Sequence, residues 1–205
     1  AYAQAKEQII REGVEKYTYL KVVRDPIKRC ISSYRHAIAK EYAYQEMSET
    51  LDREISPKTG FSFATFLEFL SLIDLRSANI HHRFQCHPLD VYPWARFIFI
   101  NINEVDLTES LSTLDREAGL PVTFEIDEVA RERSQDGRRY AHAKPPQESS
   151  LNPDVWKMTL DKSMLDEWPH ESEFCSPEPL AMIRRLYGSD IKAIQSMSTQ
   201  SIGVP

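Results

Sequence analysis

The segment YLKVVRDPIKRCISSYRHAI, residues 19–38, decides the reading of the fold. With Thr18 it begins as TYLKVV, a short run rich in β-branched and aromatic residues, which is the composition of a buried strand. The run breaks on Arg24-Asp25-Pro26, where Asp25 suits a helix N-cap and Pro26 the first helical position. Ile27, Cys30, Ile31, Tyr34 and Ile38 then recur at helical spacing, which predicts a helix whose apolar face packs on the sheet. Strand, tight turn and helix make half of an α/β unit. Such a turn needs neither an arginine at the strand tip nor Ser32 eight residues later.

Upstream, residues 4–17 place Ile10, Val14 and Tyr17 at helical spacing among charges, with Gly13 weakening the helix from inside. Downstream, QEMSETLDREISPKTGFS (45–62) is polar and turn-rich and reads mostly as loop. Ser62 then opens a helix, FATFLEFLSLI, with Phe63, Phe66, Leu67 and Leu70 on one side. Residues 75–93 show no period, and RFIFINI (96–102) is the second strand. Asp106 and Glu109 form a capping-box pattern before a helix that stops at Gly119. Residues 121–179 are rich in proline, serine and charge and read as an irregular segment. PEPLAMIRRLYGSDIKAI (177–194) reads as one helix, or two broken at Gly188, and the residues after it as a tail. The class that follows is α/β, helix-rich, with a small parallel sheet flanked by helices.

Composition bounds the function. The chain has 205 residues, 41% hydrophobic and 27% charged, which suits one soluble globular domain. A formal net charge of −6 points away from a nucleic-acid partner, so any anion site has to be local. No apolar run reaches the roughly 20 residues of a membrane span, and there is no signal-peptide core. Cys30, Cys86 and Cys175 are too widely spaced for a disulfide framework or a CxxC metal site. Ordinary thiols in a reducing compartment are expected, with one disulfide and a free thiol as the alternative.

A strand that ends at a helix N-terminus aims free N–H groups and the positive end of the helix dipole at one spot. Arg24 adds a forked donor suited to phosphate oxygens, and Ser32, two turns on, adds a hydroxyl on the helix flank that Lys28 and Arg35 make positive. Read from the residues alone, Arg24 and Asp25 suit a surface ion pair equally well, and Ser32 a small packing residue.

The register VVRDPIKRCISSYRH, with Arg24, Ser32, Tyr34 and Arg35 in place, resembles the 3′-phosphate-binding segment of the sulfotransferases, in the branch with the Golgi carbohydrate enzymes. The resemblance extends in order over residues 18–194. FATFLEFL resembles the family's Phe-Leu helix, and HHRFQC a His-x-Arg-x-Gln element matched by His81, Arg83 and Gln85. The strand and helix ending in Gly-Leu follow, and LYGSDIKAI matches a closing Tyr-x-x-Asp. It implies a P-loop kinase-like fold and sulfuryl transfer from 3′-phosphoadenosine 5′-phosphosulfate to a hydroxyl, with carbohydrate as the acceptor. It also implies that Arg24 and Ser32 hold the 3′-phosphate, and that a His or Glu base serves the acceptor. His81 and His82 are the candidate catalytic residues, with His36 behind them. Arg35, Arg138 and Arg139 join Arg24 and Ser32 as candidate nucleotide-binding residues, the last two within a basic loop that closes over the nucleotide or is simply solvated.

The family's other half-site is a Pro-Lys-Thr/Ala-Gly loop for the 5′-phosphosulfate, expected before residue 18, where this chain offers only the helical pattern of residues 4–17. The expectation is a single domain over 1–205 that lacks its first strand and that loop. SPKTGFS (56–62) carries Pro57-Lys58-Thr59-Gly60 but has no buried strand in front of it and reads as an ordinary turn. A catalytically inactive nucleotide-binding relative and a P-loop kinase-like phosphotransferase are the rival readings. His81, His82, Cys86 and His87 match no common zinc spacing, so no metal is expected. Trp94, Trp156 and Trp168 suit stacking on a ring or packing in a core. The expected compartment is the cytoplasm, or the Golgi lumen given an upstream anchor.

Overall fold

The computed structural model describes residues 11–13, 18–85, 96–117, 119 and 152–198. In chain order its regular elements are β1 (Thr18–Val23), α1 (Pro26–Lys40), α2 (Tyr44–Leu51), β2 (Phe61–Ser62), α3 (Phe63–Leu72), β3 (Arg96–Asn101) and α4 (Leu107–Glu117). After three short 3-10 turns around β4 (Thr159–Leu160) come α5 (Pro177–Leu186) and α6 (Gly188–Ser198). The chain forms two compact units. One gathers Ala1–Asp25, Phe84–Thr123 and Ser189–Pro205, the other Pro26–Arg83 and Phe124–Gly188.

In the first unit β1 and β3 pair in parallel from Thr18 opposite Arg96 to Val23 opposite Asn101. Val23 and Ile100 are buried, whereas Leu20 and Val22 are 46% and 44% exposed. The strand expected to be buried is thus open on one face, because alternation puts 20 and 22 on the side opposite 21 and 23. The ladder runs one bond further, Ile102 N–H to the Val23 carbonyl at 3.0 Å. After β3 the chain turns, and Asp106 accepts from Glu109 N–H at 2.9 Å, capping α4 as its sequence pattern indicates. Gly119 follows at φ +66°, a left-handed position suited to glycine. Upstream, Arg11 and Glu12 are helical and Gly13 leaves the helix at φ +99°.

The second unit is organised around Tyr34. On the apolar face of α1, Tyr34 is enclosed by rings of its own unit. Phe63, Trp168, Phe61, Phe66 and Phe174 stand 5.1–5.9 Å away by centroid. The Tyr34 hydroxyl donates to the Phe61 carbonyl at 2.8 Å, and the side chain is fully buried. That bond ties α1 to β2, which pairs antiparallel with β4. Ser62 then caps α3 as expected, accepting from Thr65 N–H at 3.1 Å. Phe63, Phe66, Leu67, Phe69 and Leu70 of α3 are all buried.

Two expectations about residues 45–62 part company here. The first half is helix, not loop: Tyr44 and Met47 make a small buried face, Gln45 bonds Glu49 at 2.9 Å, and Asp52 ends the helix in the left-handed region. The second half is the ordinary turn expected. Thr59 and Gly60 N–H close on the Ser56 carbonyl at 3.1 and 2.9 Å, and Gly60 at φ +64° lets the backbone lie against the Leu160 carbonyl. The C-terminal pattern resolves as two helices parted at Gly188, with Pro177 at the N-terminus of α5. No helix among the described residues is long and apolar enough to cross a membrane. The result is a helix-rich α/β architecture in which each parallel strand leads into a helix.

Tyr34→Phe keeps the ring cluster but strands the buried Phe61 carbonyl, a loss of about 1–3 kcal/mol. Denaturant unfolding should show a lower midpoint at unchanged slope. An unchanged midpoint would contradict the structural weight given to this bond.

Candidate functional site

In the first unit Arg24 sits just beyond the carboxyl end of β1, the edge of an open parallel sheet where ligands collect. Its side chain is half-buried. Its peptide groups lie past the last ladder bond and are met by a side chain. Arg24 N–H donates to Gln85 Oε1 at 2.8 Å, and Gln85 Nε2 donates to the Arg24 carbonyl at 2.8 Å. A primary amide offers one acceptor and a donor pair, so it replaces a neighbouring peptide in both directions. Gln85 is held in turn: its own N–H donates to Asp190 Oδ2 at 2.7 Å. Asp190 is fully buried in the first turn of α6, where the helix N-terminus favours a carboxylate.

In the second unit Ser32 and Arg35 lie three residues apart on α1, both half-buried, with exposed Lys28 on the same flank. The Arg35 guanidinium carbon is 5.6 Å from the Trp168 ring centroid, a cation–π arrangement that fixes where the charge rests. Lys28 is 3.5 Å from Glu171, an exposed pair of small energetic weight. Trp168 and Trp156 are both buried packing residues.

The same unit gathers the histidines. Arg29 on α1 donates to the carbonyls of Arg83 and Ile80 at 2.6 and 3.0 Å, and Tyr187 donates to the His82 carbonyl at 2.6 Å. These bonds pin the turn at 80–83. His81 is exposed on it, its ring 4.0 Å from His36 and 5.2 Å from Tyr42 by centroid. His82 points the other way and is fully buried, between Tyr42 and the edge-on rings of Phe66 and Phe69. Neither of its ring nitrogens has a hydrogen-bond partner among the described residues. Burial first, then the Arg29 and His81 charges, push its pKa down to about 4. Partial burial and Arg29 lower His81, while burial, His81 and Lys40 lower His36. Both exposed-side rings therefore stand as neutral proton acceptors at pH 7.

The structure thus brings His36, His81, His82 and Tyr42 together and puts Ser32 and Arg35 on one helix flank. Arg24 belongs to the other unit and is described there. Arg138 and Arg139 lie outside the described residues, as do Cys86, His87 and Trp94. Among the described residues no group of three or more His, Cys, Asp or Glu is arranged to hold a metal. Cys30 is a buried thiol whose pKa burial pushes up, and Cys175 Sγ donates to the Glu171 carbonyl at 3.3 Å. Sequence reasoning gave Arg29 no role and saw Gln85 and Asp190 only as motif letters. Their spacing in the His-x-Arg-x-Gln and Tyr-x-x-Asp elements was the available signal.

His82 ties pH to stability. Its pKa lies near 6.5 unfolded and about 4 folded, so between these values the unfolded chain takes up a proton that the folded chain refuses. The stabilisation is full above pH 6.5 and is lost as pH falls toward 4. Urea midpoints across that window should fall less steeply in His82→Leu than in the parent chain. Equal slopes would show that the ring is not held neutral by burial.

No curated protein and no solved structure matches the chain. A family model described as the sulfotransferase family matches residues 1–193, nearly the whole chain. That span takes in the Arg24 turn, the histidine turn and the Gln85–Asp190 connection. The chain belongs to the sulfotransferase family, with the family's P-loop-like α/β fold.

Proposed function

We propose that this chain transfers a sulfuryl group from 3′-phosphoadenosine 5′-phosphosulfate to a hydroxyl, with carbohydrate as the acceptor class that the resemblance implies. The observation that carries the reading is Arg24 at the carboxyl end of a parallel strand, its peptide fixed on both sides by one amide. A guanidinium carried on that fixed backbone is a donor suited to a phosphate dianion. Ser32 and Arg35 are the α1 residues that the same reading assigns to the nucleotide.

In the reaction the acceptor oxygen attacks sulfur in line as the bond from sulfur to the 5′-phosphate oxygen breaks. Adenosine 3′,5′-bisphosphate leaves, and the acceptor proton passes to a base. This chemistry is mostly positioning and charge neutralisation, so gripping the far phosphate contributes by holding the donor in register. His81 is the base in this scheme: its ring is exposed and its pKa is lowered, so it is ready to accept a proton. His82 has an enclosed ring, and its part is to fill the core behind His81 and Tyr42.

Calorimetry with adenosine 3′,5′-bisphosphate tests the donor. Arg24→Ala should weaken binding by about 10- to 100-fold, the worth of a charge-assisted contact, and bring affinity close to that of adenosine 5′-monophosphate. Unchanged affinity would remove the assignment. The base is tested separately, by transfer of labelled sulfate to a panel of glycans. His81→Ala should lower kcat by about 10²- to 10⁴-fold while leaving bisphosphate affinity at the parent value. Retention of kcat would put the base elsewhere.

A further inference from the structure

We infer that Gln85 and Asp190 are positioning residues for the donor's 3′-phosphate, acting through the backbone of Arg24. The inference rests on the reading of Arg24 as a ligand of that phosphate, and it assigns work to two residues that touch no substrate in that scheme.

The strand ladder ends with the Ile102-to-Val23 bond. The next residue, Arg24, has both peptide groups beyond the ladder, where an ordinary strand end frays into solvent. Here the Gln85 amide takes both, at 2.8 Å each. With N–H and C=O both fixed, the Arg24 peptide planes are fixed, and so is the direction in which Cα–Cβ projects. The flexible guanidinium stem therefore starts from one point rather than many, which lowers the ordering cost when a phosphate binds.

Gln85 cannot do this from an unanchored loop. Its N–H is held by Asp190, a fully buried carboxylate on α6, at 2.7 Å. The carboxylate sits in the first helical turn, where the helix dipole favours negative charge. Segments 61 and 105 residues apart in the chain thus meet in one relay, Asp190 to Gln85 to Arg24. All three residues belong to the same compact unit.

A merely structural role predicts loss of stability and of all nucleotide binding alike. A positioning role predicts a loss confined to the 3′-phosphate. Calorimetry on the full chain with adenosine 3′,5′-bisphosphate and adenosine 5′-monophosphate separates the two. Gln85→Leu should weaken the bisphosphate about tenfold and leave the monophosphate unchanged. In an Arg24→Ala background the same change should cost nothing further, because the two act as one unit. Asp190→Asn keeps an oxygen acceptor and should bind as the parent does, whereas Asp190→Ala should follow Gln85→Leu. Should Gln85→Leu not fold, Gln85→Asn, one methylene shorter and unable to reach both peptide groups, carries the same expectation.

Equal weakening of both nucleotides, or full additivity with Arg24→Ala, would overturn the inference. So would parent-like bisphosphate affinity in Gln85→Leu. If Arg24→Ala itself keeps the preference for bisphosphate, the phosphate assignment fails and the inference with it. Hydrogen exchange tells these apart. The Arg24 amide should exchange faster in Gln85→Leu whatever nucleotide binds, so clamp and ligand are read independently.

Discussion

A parallel strand that ends must do something with its last peptide groups, and at Arg24 the Gln85 amide takes both. The first unit depends on this exchange. It lets β1 stop at Val23 without fraying, and it turns a strand tip into a fixed mount for a cation. Asp190 closes the arrangement from α6, its burial tolerated because it accepts a hydrogen bond and lies at a helix N-terminus. Sheet, irregular turn and C-terminal helix are thereby joined by hydrogen bonds that hydrophobic packing alone would not direct.

The second unit solves a different problem, that of giving a half-polar helix a core. Tyr34 collects five aromatic rings and uses its hydroxyl to anchor the Phe61 carbonyl, so the core has a fixed registration as well as apolar area. The histidine turn leans on the same helix. Arg29 and Tyr187 hold its carbonyls, and the neighbouring His81 and His82 then meet opposite environments. One ring is left to water and proton exchange, the other is kept neutral by burial. The contrast between adjacent, chemically identical side chains arises because the backbone turns His82 onto the rings of Phe66 and Phe69.

That contrast shows what sequence could and could not reveal. Local signals were legible: the strand before Arg24, the helix at Pro26, the Ser62 cap and the break at Gly188 each depend on residues within one or two turns. The helix at Tyr44–Leu51 was missed because only Tyr44 and Met47 bury its face, too short a period to stand out beside a proline-glycine turn. His81 and His82 read alike, since burial is decided by Phe66, Phe69 and Tyr42, remote in sequence from them. Gln85 and Asp190 were visible as letters in motifs, but their bonds cross 61 and 105 residues and leave no local trace. The resemblance supplied the order of motifs, and the structure supplies the physical connection between three of them.

The most direct measurement is the ³¹P spectrum of adenosine 3′,5′-bisphosphate titrated with the chain. The 3′-phosphorus resonance should move on binding, and this movement should disappear in Arg24→Ala. A bound nucleotide whose 3′-phosphorus resonance is unaffected by the loss of Arg24 would contradict the phosphate assignment.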